Sequence, residues 1–319
     1  MGIKLINYSD ELYQDWESFL DSNPRNGDFM MRRKFIDYHG DRFIDRSLLF
    51  IEDSEVISVF PAASIQSSSN SVTTHPGASY GGIAYKAKYG GAPMIEMASA
   101  IIQNYRDSGV QRLYIKTKPH IYSSPSGSED LYAWWRLGAT LDRVDLSNII
   151  EVGNFQFSTR RLRALRKLDV ASVEISEGFE FLLPAYKICE QTLQSRHNTS
   201  PVHTFEELLY LVKALPENIR VTLCSIDGVL SSGLILFVNQ NAAIVQYWGS
   251  TDDGRKINAL DPLVVDAIEW CRQNHLTWFV PGVSTSELGT KIDEGIYEYK
   301  MSLGSGTISI PTLRIDLAP

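Results

Sequence analysis

Two hydrophobic periods alternate along this chain. Short apolar runs read as strands, and stretches with apolar residues three or four positions apart read as helices. In the first half, Ile3–Ile6 is a strand. Glu11–Leu20 follows as a helix with Leu12, Trp16 and Phe19 on one face, closed by the turn cluster Ser22–Gly27. Phe29–Tyr38 is a second, basic helical stretch. Ser47–Glu52 and Val56–Ile65 pair across the turn Asp53-Ser54-Glu55. Next come strand Ile83–Tyr85, a helix from Pro93 to about Arg106, strand Arg112–Lys116, helix Asp130–Leu137 and strand Leu146–Val152.

The second half repeats the scheme. Ser158–Asp169 is a basic helix capped by Ser158 or Thr159. Strand Ser172–Ile175, helix Phe181–Leu193 and loop Gln194–His203 lead to helix Thr204–Leu215, where Thr204 and Glu207 form a capping-box pattern. Arg220–Ile226 and Leu230–Val238 flank the hairpin signal Asp227-Gly228. Ala242–Tyr247 is a strand, Gly254–Ala259 a basic turn, Pro262–Asn274 a helix and Thr277–Val280 a strand. A helix over Lys291–Met301 and a strand over Leu313–Leu317 close the chain. Leu113–Lys116 falls opposite Trp278–Pro281 at an offset of 165, and Tyr80-Gly81-Gly82 opposite Tyr247-Trp248-Gly249 at 167. An offset near half the length predicts two similar domains of α/β class with mixed sheets, 1–155 and 156–319, the second beginning with the basic helix.

Composition narrows the function. The 319 residues are 44% hydrophobic and 21% charged, ordinary for globular chains, and suffice for two domains. The net charge of −8 and pI near 5.3 disfavour nucleic-acid binding through bulk charge. Cys189, Cys224 and Cys271 sit in apolar runs without disulfide or zinc spacing, which fits a reducing cytoplasm and no metal. The N-terminus lacks the features of a secretory signal, and no apolar run approaches the ~20 residues needed to span a bilayer. The expected location is cytoplasmic.

Several residues can carry chemistry. Gly254, Arg255, Lys256 and Asn258 form a basic turn before a helix, and free N–H groups at a helix start suit a phosphate-bearing donor. An ordinary αβ connection reads the same way. In the basic helix, Leu162, Leu165 and Leu168 recur every three residues, leaving Arg160, Arg161, Arg163, Arg166 and Lys167 on the remaining surface. Such a run is either a solvated face or a contact for a polyanion. Thr73–Gly82 is rich in small residues, which lets backbone approach a ligand closely. His75 within it is a candidate general base or a structural histidine. Arg196, His197 and His203 share one predicted loop; their spacing is no metal signature, and Arg196 can clamp a carboxylate or phosphate. Tyr247 ends its strand as a proton donor or a core aromatic. Ser284 and Thr285 can bond an acyl carbonyl. Serine-hydrolase elbows, Walker loops and Rossmann fingerprints do not occur.

Three segments resemble the FemAB/FemX-like acyltransferases of the GNAT superfamily, of the type found with polysaccharide biosynthesis. They are Thr74-His75-Pro76-Gly77-Ala78-Ser79-Tyr80-Gly81-Gly82, Phe279–Thr285 followed by Gly295 and Lys300, and Arg196–Leu208. The resemblance implies two tandem GNAT-like domains and transfer of an acyl or aminoacyl group to an amine or hydroxyl. It implies that Lys300 stands near the transfer site and makes Tyr247, Ser284 and Thr285 candidates for a cleft wall; Tyr80 and Gly81 of the first segment are candidate substrate contacts. Val280-Pro281-Gly282 stands where the family often has Asp-Phe-Gly, and Glu294-Gly295 where it often has Asn-Gly.

The expected activity is direct acyl transfer from acyl-CoA or an acyl carrier protein to an amino-sugar or nucleotide-sugar, with His75 as base and Lys300 and Tyr247 assisting. The alternatives are a FemX-type transferase using aminoacyl-tRNA on a cell-wall precursor, and a non-catalytic binding protein on the same scaffold.

Overall fold

A computed structural model describes residues 2–68, 70–123, 125, 127–168 and 172–317, and they fall into two units. The first comprises Met1–Asp145, Leu288–Thr290 and Ser309–Pro319; the second comprises Leu146–Glu287 and Lys291–Ile308. The division falls between Asp145 and Leu146, and the last strand of the chain crosses back into the first unit at Ser309.

The first unit holds β1 (Lys4–Asn7), α1 (Tyr13–Asp21), α2 (Arg33–Ile36), β2 (Phe43–Asp45), β3 (Leu48–Glu52), β4 (Glu55–Phe60) and β5 (Ala63–Ile65). It continues with β6 (Ser71–Thr73), β7 (Ala84–Tyr85), α3 (Ala92–Asp107), β8 (Arg112–Lys116), α4 (Glu129–Arg136) and the start of β9 (Thr140–Glu151). One antiparallel sheet runs β1-β3-β4-β7. Its core is capped by α1, whose Trp16, Phe19 and Leu20 pack with Leu49, Val56 and Val59. In a second set of strands, β8 pairs in parallel with β6 and antiparallel with residues 312–316 of the terminal strand. Met94, Ala98 and Ile101 of α3 cover these strands at helical spacing.

The helix expected over Phe29–Tyr38 is broken. Only Arg33–Ile36 is α-helical, between two 3₁₀ turns. The Asp28 carboxylate accepts from Met30 N and starts the first turn. Arg33 is drawn inward, 3.8 Å over the Tyr8 ring and 2.6 Å from Asp45, with Asp37 as a further partner.

The second unit begins with residues 146–151 of β9, then α5 (Thr159–Leu168), β10 (Val173–Glu177), α6 (Leu182–His197), α7 (Phe205–Ala214), β11 (Ile219–Ile226) and β12 (Val229–Val238). There follow β13 (Ala242–Ser250), α8 (Asp252–Lys256), α9 (Leu260–Gln273), β14 (Trp278–Val283), β15 (Thr285–Ser286), β16 (Lys291–Ile292), α10 (Glu294–Ser302) and β17 (Gly306–Asp316), which enters the first unit at Ser309. The strand order is β10-β11-β12-β13-β14-β9, antiparallel throughout except for the parallel pair β13–β14. The expected capping box forms at Thr204, and Asp227 and Gly228 both take the positive φ of a tight hairpin turn. No helix among the described residues is long and apolar enough to cross a membrane.

Successive side chains of β12 leave the sheet on opposite faces. Leu234, Leu236 and Val238 meet Leu263, Val264 and Ala267 of α9. Gly233, on the other face, lies under α6, where an added Cβ would be 3.0 Å from Ala185 Cα. Gly249 repeats this on β13: a Cβ there would be 2.5 Å from Thr192 Oγ1 and 2.9 Å from the Ile188 carbonyl oxygen. Those are helix atoms with no room to withdraw. Gly249→Ala should lower unfolding stability by about 1–3 kcal/mol, the usual cost of forcing extra volume into a packed layer. A urea midpoint equal to that of the native protein would contradict this packing.

Candidate active site at the parting of two strands

β13 and β14 stay paired for three residues only: Ala242 with Trp278, Ala243 with Phe279 and Ile244 with Val280. Both strands are irregular beyond that point. On β13, Tyr247 pairs with Ile235 and Val245 with Leu236, so Gln246 is an extra residue in the ladder. On β14, the register with β9 shifts between Phe279 and Gly282, and Gly282 takes φ 89°. Such bulges re-aim a strand and free its backbone groups. Past Gly282, β13 follows β12 to Ser250 while β14 follows β9 to Ser147.

Lys300 stands at this parting. It is buried on α10, and its ammonium donates to the carbonyls of Gly282 (2.9 Å) and Val283 (2.6 Å). Burial pushes it down to about 7, with Asp293 opposing the shift. A neutral amine still has two N–H groups for these two carbonyls, so losing the proton costs no hydrogen bond. Lys300 is thereby poised to exchange a proton near neutrality.

Ser284 and Thr285 belong to the same corner. Ser284 Oγ donates to Asn148 Oδ1 (2.7 Å), the Asn148 amide donates to Ser305 Oγ (2.9 Å), and Ser305 Oγ donates to the Lys300 carbonyl (3.0 Å). Thr285 Oγ1 accepts from Leu146 N at 3.3 Å. Both hydroxyls thus brace the frame that holds Lys300. The sequence reading missed Asn148, Ser305 and the Gln246 bulge. An asparagine inside the apolar strand Leu146–Val152 was the available signal, because a buried amide must find partners.

Tyr247 and His203 meet each other. The phenol accepts from His203 N (3.1 Å) and bonds His203 Nδ1 at 2.7 Å, and Tyr186 Oη donates to the His203 carbonyl (3.2 Å). Burial raises the Tyr247 phenol above its ordinary range. The pair fastens the loop before α7 onto β13. That loop is shorter than expected, because α6 runs on to His197 and ends on a left-handed Asn198. Arg196 is exposed in its last turn, and the His197 side chain lies outside the described residues.

The expected phosphate turn is different in kind. Residues 252–256 form the short helix α8, capped by Thr251 through Gly254 N. Arg255 pairs with Asp252, and Lys256 with Asp253 at 2.7 Å. Gly254 packs on Ser231, where a Cβ would be 2.3 Å from the carbonyl oxygen. Asn258 takes positive φ between α8 and α9. The sequence reading overlooked the two aspartates placed three residues before the two cations.

The basic helix is also rearranged. Arg161 points inward, bidentate on Asp261 (2.7 and 2.8 Å), bonded to Ser302 Oγ and 4.7 Å over the Tyr299 ring. Leu162 is exposed instead. The side chains of Arg160 and Lys167 lie outside the described residues.

In the first unit the glycine-rich segment packs on its own chain. A Cβ on Gly77 would be 1.9 Å from His39 Nε2, and one on Gly81 would be 2.9 Å from Thr74 Cβ. Lys116 Nζ holds the carbonyls of Pro76 (3.1 Å) and Ala78 (2.6 Å). Tyr80 donates to Asp28, which also pairs with buried Lys118 at 3.1 Å. His75 is buried against the His39 and Phe43 rings, and its Nδ1 accepts from Gly77 N. Burial, with His39, Arg33 and Lys116 nearby, pushes its pKa down to about 2. A ring that refuses a proton so strongly is a poor base at neutral pH. The unfolded chain binds that proton from 6.5 downward and the native one does not, so His75 costs stability as pH falls below 6.5. Its ring NMR signals should stay on the neutral form from pH 8 to about 5, and a midpoint near the free value would show a ring open to solvent. Among the described residues no cluster of three or more His, Cys, Asp or Glu can hold a metal ion.

Residues 156–301 match the family described as the acetyltransferase (GNAT) domain. No curated protein sequence matches the chain. Among solved structures, FemX is similar at TM-score 0.69 and 11% identity, covering 98% of this chain and 97% of that one. L-PGS from Bacillus licheniformis is similar at 0.60 and 12%, covering 94% and 90%. A tandem GNAT protein from the clavulanic acid biosynthesis pathway is similar at 0.52 and 9%, covering 100% and 99%. At these identities the likeness is one of fold: mixed α/β, with two GNAT-like units.

Proposed function

We propose that this chain, an acyltransferase by the GNAT acetyltransferase domain of residues 156–301, moves an acyl group from a pantetheine thioester to the amine of an amino-sugar or nucleotide-sugar. The observation that carries the reading is Lys300, buried at the parting of β13 and β14 with its pKa drawn to about 7. A thioester entering between the strands meets free backbone groups at the Gln246 bulge and an ammonium at the end of β14. The acceptor nitrogen attacks the carbonyl carbon, the C–S bond breaks, and the thiolate takes a proton from Lys300. The acceptor attacks as a neutral amine; its nitrogen, positively charged once the C–N bond has formed, gives one proton back to Lys300, so the products are an amide and a free thiol. The Asp252 and Asp253 partners of Arg255 and Lys256 favour a donor held by its arm over one held by a diphosphate at α8. An acyl carrier protein therefore stands ahead of acyl-CoA as the donor.

The second reading is an aminoacyl-tRNA-dependent transfer, favoured by the likeness to FemX over almost the whole chain. One assay separates them. Acyl carrier protein or acyl-CoA is incubated with a panel of UDP-amino-sugars, with thiol release followed by absorbance and product by mass. Acceptor-dependent thiol release is expected. Its absence with every donor, together with transfer from charged tRNA, would replace the first reading by the second.

A further inference from the structure

We propose that Asn148 is a positioning residue for Lys300, fixing where the ammonium stands by tying the strand that receives it to the helix that carries it; this rests on the part given to Lys300 in the transfer above. Asn148 is fully buried on β9 and lies opposite Gly282 in the ladder with β14. Its side chain has two unlike ends, and each goes to a different element. The carbonyl end accepts from Ser284 Oγ, just past β14 (2.7 Å), and the amide end donates to Ser305 Oγ, just past α10 (2.9 Å).

These bonds close a circuit. Ser305 Oγ donates to the Lys300 carbonyl (3.0 Å), with the Met301 sulfur as a weaker neighbour at 3.7 Å. The Lys300 ammonium donates in turn to Gly282 and Val283, the two residues before Ser284. Every link runs from donor to acceptor in one direction, so position 148 must accept on one side and donate on the other. An amide does both, and a carboxylate only accepts. Ser284, Asn148, Ser305 and Lys300 are all buried, so a broken link leaves a polar group shut away from water. The backbone alone holds this corner poorly. β14 has left β13 beyond Val280, and its register with β9 shifts between Phe279 and Gly282. Asn148 supplies the tie that the irregular ladder lacks. The charged group bearing on Lys300 is Asp293, whose side chain caps the start of α10 and stands outside the circuit.

The test uses the full-length protein labelled with ¹⁵N-lysine. The Nζ signal of Lys300, assigned by its loss in Lys300→Arg, is followed by NMR from about pH 5 to 11, which needs no turnover. The native midpoint should lie at about 7. Asn148→Ala and Asn148→Asp should both free the ammonium toward water and move the midpoint toward the ordinary 10.5, the aspartate because it cannot donate to Ser305. Both should also lower kcat for acyl transfer ~10-fold or more with KM nearly unchanged, and the falling limb of kcat should follow the NMR midpoint. Ser305→Ala removes the next link and should act in the same direction, which keeps the test open should the Asn148 variants unfold. A merely structural asparagine would lower unfolding stability and leave the Lys300 midpoint where it was. That result in the folded variants overturns the proposal, as does a native midpoint near 10.5. A midpoint that moves while kcat stays constant supports Asn148 as the residue that places Lys300 and removes Lys300 from the transfer, so the two failures are told apart.

Discussion

Lys300→Met should lower the rate of acyl transfer by ~10²–10³-fold, the usual effect of removing one donor aimed at developing negative charge. The effect belongs in kcat, because the ammonium acts on charge that exists only after attack. A pH profile tests the same idea through its sign. In the proposed reaction Lys300 works protonated, and burial lowers it to about 7, so the rate should be level below that pH and fall above it. Lys300→Arg keeps a charge at every pH but cannot release a proton, so it should retain only part of the rate and lose this falling limb from the measured range. Stability should respond in the opposite sense. The unfolded lysine holds its proton up to 10.5 and the native one only to about 7, so between these values the unfolded state binds more protons and stability rises with pH. The methionine variant loses that slope. It also strands the Gly282 and Val283 carbonyls, at about 1–3 kcal/mol, so its fold must be verified by circular dichroism before the rate is read. A folded Lys300→Met protein with a kcat within tenfold of the native value would remove Lys300 from the reaction.

The largest effect on stability is expected at Arg161. Its guanidinium and the Asp261 carboxylate are both buried, 9% and 1% exposed as side chains. Burial raises the Asp261 carboxyl and the arginine opposes that rise. Arg161→Met leaves the carboxylate buried and alone, which should cost about 3–5 kcal/mol at neutral pH. The deficit should shrink as pH falls, because the stranded carboxyl takes up a proton in the native state. Replacing both partners by apolar residues, Arg161→Met with Asp261→Leu, should recover most of the loss. Denaturant unfolding of the two single variants and the double variant at pH 7 and pH 5 measures all of this. Strictly additive losses would mean the two side chains do not act as a pair.

These two residues show how far the sequence could be read. Lys300 stands out in the sequence through resemblance to a known family, and in the structure it is buried with its ammonium on the Gly282 and Val283 carbonyls. Strand and helix positions followed from hydrophobic period, and the capping box at Thr204 and the hairpin at Asp227-Gly228 from local chemistry. Arg161 was not reachable. Leucines three apart marked one face of α5, but which face turns inward depends on Asp261, 100 positions away in the chain. His75 failed for a related reason: a histidine in a glycine-rich run looks exposed, and only the packing of His39 and Phe43 shows that it is shut in. Arg255 and Lys256 were misread from within their own segment, where the i,i+3 aspartates already pointed to a self-paired helix.

The return of β17 to the first unit has a consequence for how the chain is assembled. Thr312–Asp316 pairs with Lys116–Arg112, and Leu313, Ile315 and Leu317 join the same core as Leu113 and Ile115. Contacts that close a loop of roughly 200 residues are slow to form, and their entropy is lost before their burial is gained. During synthesis the open edge of β8 must wait while the whole second unit is made. That edge, with its unpaired backbone groups and with Leu113 and Ile115 uncovered, is the natural point of misassembly for nascent chains and for fragments cut after Asp145.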